Sequence, residues 1–262
     1  MKRWIASVLT ACFLLPGAAM AEGVLADGWQ EASTDALVDA KTAISRQIAT
    51  NLANAACDAE GMTISGSGLD ITDTYTLPQG IWRRVITAPT ADYDDIVTFT
   101  VNSENEKVKI DDRIVAMPVR ADSPDGLIVD YACIETDSDW TISYTPITMD
   151  GTIEASGNGG YVSNFFTCTK PTKVTFNCKL REGYSTLFDV KLYPITNSGF
   201  FSIYSSEKLV HEWVESTGSE FTGIIKPEDK YAAYLLVISC DQNVEWSITA
   251  KYPHRNTKRP GV

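Results

Sequence analysis

Between Ser33 and Cys57 the apolar residues Leu37, Ala40, Ile44, Ile48, Leu52 and Ala55 recur at spacings of three and four. That period puts them on one face of a helix. Ser33, Thr34 and Asp35 can cap its start, and Gly61 follows its end. A lone amphipathic helix needs a partner for its stripe. Packing against the segment that follows is the expectation, and docking onto another protein is the alternative.

After Gly61 the period changes to two. Val97, Phe99 and Val101 alternate with Thr98 and Thr100. Val174, Phe176 and Cys178 alternate with Thr175 and Asn177. Phe188, Val190 and Leu192 alternate with Asp189, Lys191 and Tyr193. Such alternation marks half-buried antiparallel strands.

One order of features then appears twice. Ser65-Gly66-Ser67-Gly68 returns as Ser156-Gly157-Asn158-Gly159, and Ile71-Thr72-Asp73 as Val162-Ser163-Asn164. Tyr93 returns as Tyr184, and the strand 97–101 as 188–192, all at an offset of 91. Ser123-Pro124-Asp125 matches Lys226-Pro227-Glu228, and Tyr131 matches Tyr234, at 103. Asp139-Trp140-Thr141-Ile142 matches Glu245-Trp246-Ser247-Ile248 at 106. On these offsets Trp82 matches Lys173. The pattern predicts an all-β protein: two tandem antiparallel β-sandwich, jelly-roll-like domains preceded by one amphipathic α-helix. The expected division is a helical segment at 22–60, repeat 1 at 61–148, repeat 2 at 149–253 and a basic tail at 254–262.

The second copy reads as a Gly-rich lead-in, a strand Phe188-Asp189-Val190-Lys191-Leu192-Tyr193, and a turn Lys226-Pro227-Glu228-Asp229-Lys230. The strand Tyr234-Leu235-Leu236-Val237 and a closing Trp246-Ser247-Ile248 complete it. This resembles the jelly-roll accessory modules of secreted bacterial proteins, the pre-peptidase C-terminal type. The resemblance covers most of residues 151–253 and, more weakly, 61–148. Ala232-Ala233 stand where that family usually has a glycine before the late Tyr strand. The resemblance implies a non-catalytic appendage used in secretion, in substrate or surface contact, or in calcium binding.

The first 21 residues have the layout of a cleaved signal peptide. Lys2 and Arg3 precede the short apolar run Trp4–Leu15, and Ala19-Met20-Ala21 supplies small residues before Glu22. The run is too short to span a bilayer, and no later stretch is apolar enough. Leu9-Thr10-Ala11-Cys12 has the form of a lipoprotein box, which would leave Phe13-Leu14-Leu15 just after a lipidated cysteine. The expected location is secreted: extracellular, cell surface or periplasm.

Charge narrows the partners. The formal net charge is −12, and loss of Lys2 and Arg3 with the signal makes it −14. Such a chain repels nucleic acid and anionic membrane surfaces. The exported chain keeps Cys57, Cys133, Cys168, Cys178 and Cys240. Five is odd, so a complete disulfide framework is excluded for a monomer. Cys168 and Cys178 lie on neighbouring strands and either pair or act as buried small hydrophobes.

No catalytic motif appears. There is no G-x-S-x-G, H-E-x-x-H or phosphate loop. His211 and His254 cannot make an ordinary zinc site without further ligands. Asp92, Asp94 and Asp95 beside Tyr93 read as a solvated acidic loop. Neither metal nor cofactor is expected, and the expectation is no enzyme. The candidate ligand contacts are aromatic: Trp82 in a predicted turn, the equivalent loop residues Tyr93 and Tyr184, and Trp213 in an insertion unique to the second copy. Flat rings suit sugar faces. The expected function is a non-catalytic binding or adhesion protein recognising a glycan or a surface protein. Alternatives are an assembly protein of the envelope or matrix, and a hydrolase using an unrecognised carboxylate pair.

Overall fold

The computed structural model describes residues 60–89, 91, 95–110, 114–149, 152–181, 185–196, 206–215, 217–228 and 231–251. The signal at 1–21, the helix at 33–57, Cys57, Asp92, Tyr93, Asp94, Tyr184 and the tail at 254–262 lie outside them.

The first sandwich holds β1 (Met62–Ser67), β2 (Asp70–Ile71), β3 (Tyr75–Leu77), β4 (Gly80–Thr87), β5 (Ile96–Val101), β6 (Glu104–Lys109), β7 (Ile114–Ala121), β8 (Leu127–Glu135) and β9 (Asp139–Pro146). The second holds β10 (Ala155–Asn158), β11 (Tyr161–Val162), β12 (Thr172–Leu180), β13 (Ser185–Thr196), β14 (Glu207–Glu215), β15 (Ser219–Ile225), β16 (Tyr231–Ser239) and β17 (Val244–Lys251). In the first, the sheets run β1-β9-β4-β7 and β2-β8-β5-β6, with β3 pairing onto β8. In the second they run β10-β17-β12-β15 and β11-β16-β13-β14. With β3 set aside, the two orders match strand for strand, and each is the strand order of a jelly roll.

One device closes both modules. Gly66 lies opposite Trp140 in the β1–β9 register, and Gly157 lies opposite Trp246 in β10–β17. Each indole N–H donates to the second glycine of the Ser-Gly-x-Gly motif: Trp140 to Gly68 O at 3.3 Å and Trp246 to Gly159 O at 2.9 Å. Gly68 and Gly159 both turn the chain at positive φ, 69° and 66°. The bare Cα of Gly66 makes room for the ring, because a Cβ there would meet Trp140 Cζ2 at 2.3 Å. The repeated motif is thus the seat of the repeated tryptophan, and both rings are core residues.

The sandwiches stack through a third apolar layer. The outer face of β1-β9-β4-β7 meets the outer face of β11-β16-β13-β14. Ile81 and Val85 from β4, Ala116 from β7 and Ile147 meet Val162, Phe165, Tyr193, Ala233, Leu235 and Val237. Trp82 and Ile86 point instead into the first core, and Tyr234, Leu236 and Ile238 into the second. Strands β4 and β16 are therefore buried on both faces. That explains the near-continuous apolar run 233–238, which lacks clean alternation. Polar contacts fix the seam: Arg83 donates from Nε to Val162 O at 2.7 Å and from Nη2 to Asn164 Oδ1 at 2.8 Å. Gly160 N donates to Ile114 O at 2.9 Å. A Cβ on Gly160 would sit 2.1 Å from that oxygen.

Two sequence expectations need correction, and the alternative left open for Cys168 and Cys178 is decided against pairing. Ile86 and Phe176 lie opposite the matched Ile142 and Ile248. Strands β4 and β12 therefore align at an offset of 90, and Trp82 matches Thr172 rather than Lys173. Tyr131 lies exposed on the outer face of its sheet, whereas Tyr234 is buried in the second core. Tyr131 lies opposite Thr100, whose match Lys191 lies opposite Val237, so Tyr131 corresponds to Val237 and not to Tyr234. Cys168 and Cys178 are free thiols. Cys168 Sγ turns to Lys170 O at 3.0 Å, and Cys178 is packed in the core.

Two outcomes follow from the packing. Gly66→Ala is expected to cost about 1–3 kcal/mol by overpacking against Trp140. Gly157→Ala should cost less, because its Cβ would meet Trp246 at 3.0 Å. Thermal unfolding of the two variants compares them directly. Burial pushes the Cys178 thiol up to about 12 from its ordinary 9.0. Below pH 9 folded and unfolded chains both hold this proton. Between pH 9 and 12 only the unfolded chain releases it, so stability falls as pH rises, by about 1.4 kcal/mol per unit. Urea unfolding across this range should show a slope shallower by one proton in Cys178→Ala.

Candidate functional site

Sheet β11-β16-β13-β14 extends past the seam on its β13–β14 side. Alternation along β13 sends Phe188 and Val190 into the core and Leu187, Asp189 and Lys191 outward. The register sets Leu187 opposite Trp213 and Asp189 opposite His211 on β14. These four form one outward cluster of cross-strand neighbours. Tyr193, two positions beyond Lys191, packs into the layer between the sandwiches, so the ledge begins at the seam.

Trp213 is 62% exposed, the most exposed aromatic side chain among the described residues. Beside it Asp189 is held from two sides. Its Oδ1 lies 2.9 Å from His211 Nδ1, and its Oδ2 lies 3.3 Å from Lys191 Nζ. The carboxylate is nearly buried under these partners while His211 remains half exposed. The result is a flat apolar ring next to a carboxylate whose position is fixed. An Asp–His pair also occurs in nucleophilic triads, but among the described residues no hydroxyl or thiol is hydrogen-bonded to His211.

A second concavity, of about 500 Å³, lies on the outer face of β10-β17-β12. Ser156, Asn158, Asn177, Lys179 and Ser247 present polar groups around it. Arg181 and Glu245 form one wall, joined Nε to Oε1 at 2.6 Å. Its size is that of a small-ligand cleft, but its wall charges are already paired.

The first core contains a polar cluster that the second lacks. Arg84 is 2% exposed. Its Nη2 donates to Glu106 Oε1 at 2.8 Å, and its guanidinium lies 4.1 Å from the centre of the Phe99 ring. Its Nε is buried without a partner. The Tyr75 and Tyr144 hydroxyls meet at 2.9 Å. Burial pushes both phenols above their usual range, and the charge of Arg84 only partly opposes this. Both stay protonated at neutral pH and are poor nucleophiles. On the register that aligns β4 with β12, Arg84 corresponds to Val174, so the second copy solves the same position with a hydrocarbon.

Of the two singled-out aromatic residues that are described, Trp82 and Trp213, only Trp213 stands on an open face. Trp82 is not in a turn. It lies on β4, 1% exposed, with its indole N–H bonded to Pro78 O at 2.9 Å. A ring with no open face cannot stack on a ligand, so burial removes Trp82 from the candidates. Tyr93 and Tyr184 lie outside the described residues. Sequence reasoning did not reach Asp189 and Lys191 as site residues. Their signal was present as the polar half of the β13 alternation, but nothing in the sequence fixed which strand lay opposite. Among the described residues no cluster of three or more His, Cys, Asp or Glu could hold a metal ion. No helix among them is long and apolar enough to cross a membrane.

No protein-family model matches the chain, and no curated protein matches it. Among solved structures it is similar to the CBM22-1–CBM22-2 tandem domain of Xyn10C from Paenibacillus barcinonensis. Identity there is 8%, coverage is 73% of this chain and 93% of that one, and the TM-score is 0.28. The CBM22-1 xylan-binding domain of the same protein matches at 11% identity over 71% of this chain and 97% of its own, with a TM-score of 0.29. The stem and receptor-binding domain of spike protein P1 of bacteriophage PM2 matches at 8% identity over 74% and 97%, with a TM-score of 0.22. The class rests on strand order: this is a protein of two stacked jelly-roll modules.

The Arg84 cluster gives a two-sided test. Glu106→Ala, which leaves the buried guanidinium without its carboxylate, should cost about 1–3 kcal/mol, the lower end reflecting the half-exposed Glu106. Arg84→Val with Glu106→Val should restore stability to within about 1 kcal/mol of the parent, since a well-packed apolar pair often replaces a buried ion pair without loss. Urea unfolding of both variants measures the difference.

Proposed function

We propose that the protein is an exported, non-catalytic binding protein that recognises carbohydrate on the β13–β14 ledge. The observation that carries this reading is the exposed Trp213 ring beside Asp189, which His211 and Lys191 hold in place. A sugar offers an apolar face to stack on the indole and hydroxyls to donate to a carboxylate. An aromatic platform does this at small entropic cost, and a carboxylate already oriented loses little on binding. Tyr184, which directly precedes β13 in the sequence, is kept as a further candidate contact. Tyr93 would serve a separate site on the first module.

The signal sequence at 1–21 supports export, and modules at 61–148 and 149–253 would present their sites from one stiff body. An accessory role of the kind implied by the resemblance to pre-peptidase C-terminal modules fits this picture. A surface glycoprotein would be bound through its glycan by the same ledge.

Screening the mature chain on a glycan array, followed by calorimetry on the positives, tests the proposal. The expected result is binding that Trp213→Ala weakens at least tenfold, equivalent to about 1.4 kcal/mol, with the thermal transition unchanged. A glycan bound equally well by Trp213→Ala would place the site elsewhere, and an array without any positive would remove the carbohydrate reading.

A further inference from the structure

The two modules stack head to tail, so each has one face that the other copy uses for contact and that it leaves open. These two open faces are finished differently. On the second module, the outer face of β10-β17-β12-β15 carries Thr175, Thr222 and Glu220. The register puts these where the first module has Val85, Ala116 and Ile114 at the seam. At these three positions the face is polar, although Ile224 on β15 stands 54% exposed on it. On the first module, the outer face of β2-β8-β5-β6 has kept apolar residues. Ile71 is 63% exposed, Ile128 47% and Tyr131 39%, with Leu69 exposed in the turn before β2. Ile71 lies opposite Cys133, just as Val162 lies opposite Val237 in the second module. Val162 and Val237 are buried in the seam. The first module thus exposes to solvent the positions that its partner module buries.

We propose that residues 33–57 of the same chain cover this face, laying the apolar stripe Leu37, Ala40, Ile44, Ile48, Leu52 and Ala55 across Ile71, Tyr131 and Ile128. Three observations select this occupant. The segment ends four residues before Gly61 and enters β1, an edge strand joined to β2 by the Gly68–Leu69 turn. It therefore has only to pass one edge of the sandwich to reach the β2-β8-β5 face. As a helix its 25 residues would span about 37 Å, enough to cross a sheet whose nine-residue β8 is about 30 Å long. Finally, the patch consists of a few side chains. A stable dimer needs on the order of 1,600 Å², whereas a tethered segment binds at an effective concentration in the millimolar range.

Site-directed photocross-linking on the full mature chain tests this. With p-benzoylphenylalanine in place of Tyr131, irradiation should give a product of monomer mass with the link mapped by mass spectrometry to residues 33–57. Tyr131 is a surface side chain, so both cores remain intact. The double variant Ile44→Asp, Ile48→Asp should cut the yield at least tenfold without moving the thermal transition of the sandwiches. Links between two chains through the same patch would establish a dimer face and overturn the proposal. Absence of any link to 33–57, or a yield that the double variant leaves unchanged, would overturn it as well.

Discussion

Strands β4 and β16 have no free face. Each sends alternate side chains into its own core and the remainder into the layer shared with the other module. Removing that much apolar surface from water on both sides is worth more than any hydrogen bond along the seam. The polar contacts there act as locks on a position that burial has already favoured. Arg83 reaches the β11 carbonyl only because Ile81 and Val85 on the same strand are pressed against the second module. Gly160 lets two backbones approach within hydrogen-bonding distance where any side chain would collide. The ledge that carries Trp213 inherits its rigidity from this arrangement, since its inner strand β13 also contributes Tyr193 to the shared layer.

Within one topology the two cores have diverged in kind. The second is filled by hydrocarbon, aromatic rings and thiols. The first admits a guanidinium, held against Glu106 and the face of Phe99, and a pair of hydrogen-bonded phenols. A buried ion pair is weak evidence for stability. Its place in one copy only indicates that the fold does not need it. What both copies have kept is the glycine seat and its tryptophan, which join the first strand of the module to the last.

That retained pair is also why so much of the fold could be read from the sequence. Ser-Gly-x-Gly and the closing Trp mark the two ends of each module, and alternation between them gives the strands. Fine register was less accessible. A single-residue change of offset reassigns the counterpart of Trp82, and a change of three reassigns that of Tyr131 from Tyr234 to Val237. Neither leaves a mark in composition. The candidate site was harder still. Trp82 and Trp213 look alike in sequence, each with one charged and one apolar neighbour. One is interior because its strand lies between two layers, and that depends on a contact between modules that no local pattern records. Asp189 and His211 are 22 residues apart and become neighbours only through the β13–β14 pairing.

The polar finish of the β10-β17-β12-β15 face has a consequence for assembly. Head-to-tail contacts between like modules, if repeated, generate a ring or a fibre. In this chain the seam of the first module and the open end of the second differ at Val85 and Thr175, Ala116 and Thr222, and Ile114 and Glu220. At these positions the open end lacks the apolar side chains that the first module brings to the seam. Two modules that share one strand order thus present unlike surfaces at the two ends of the stack.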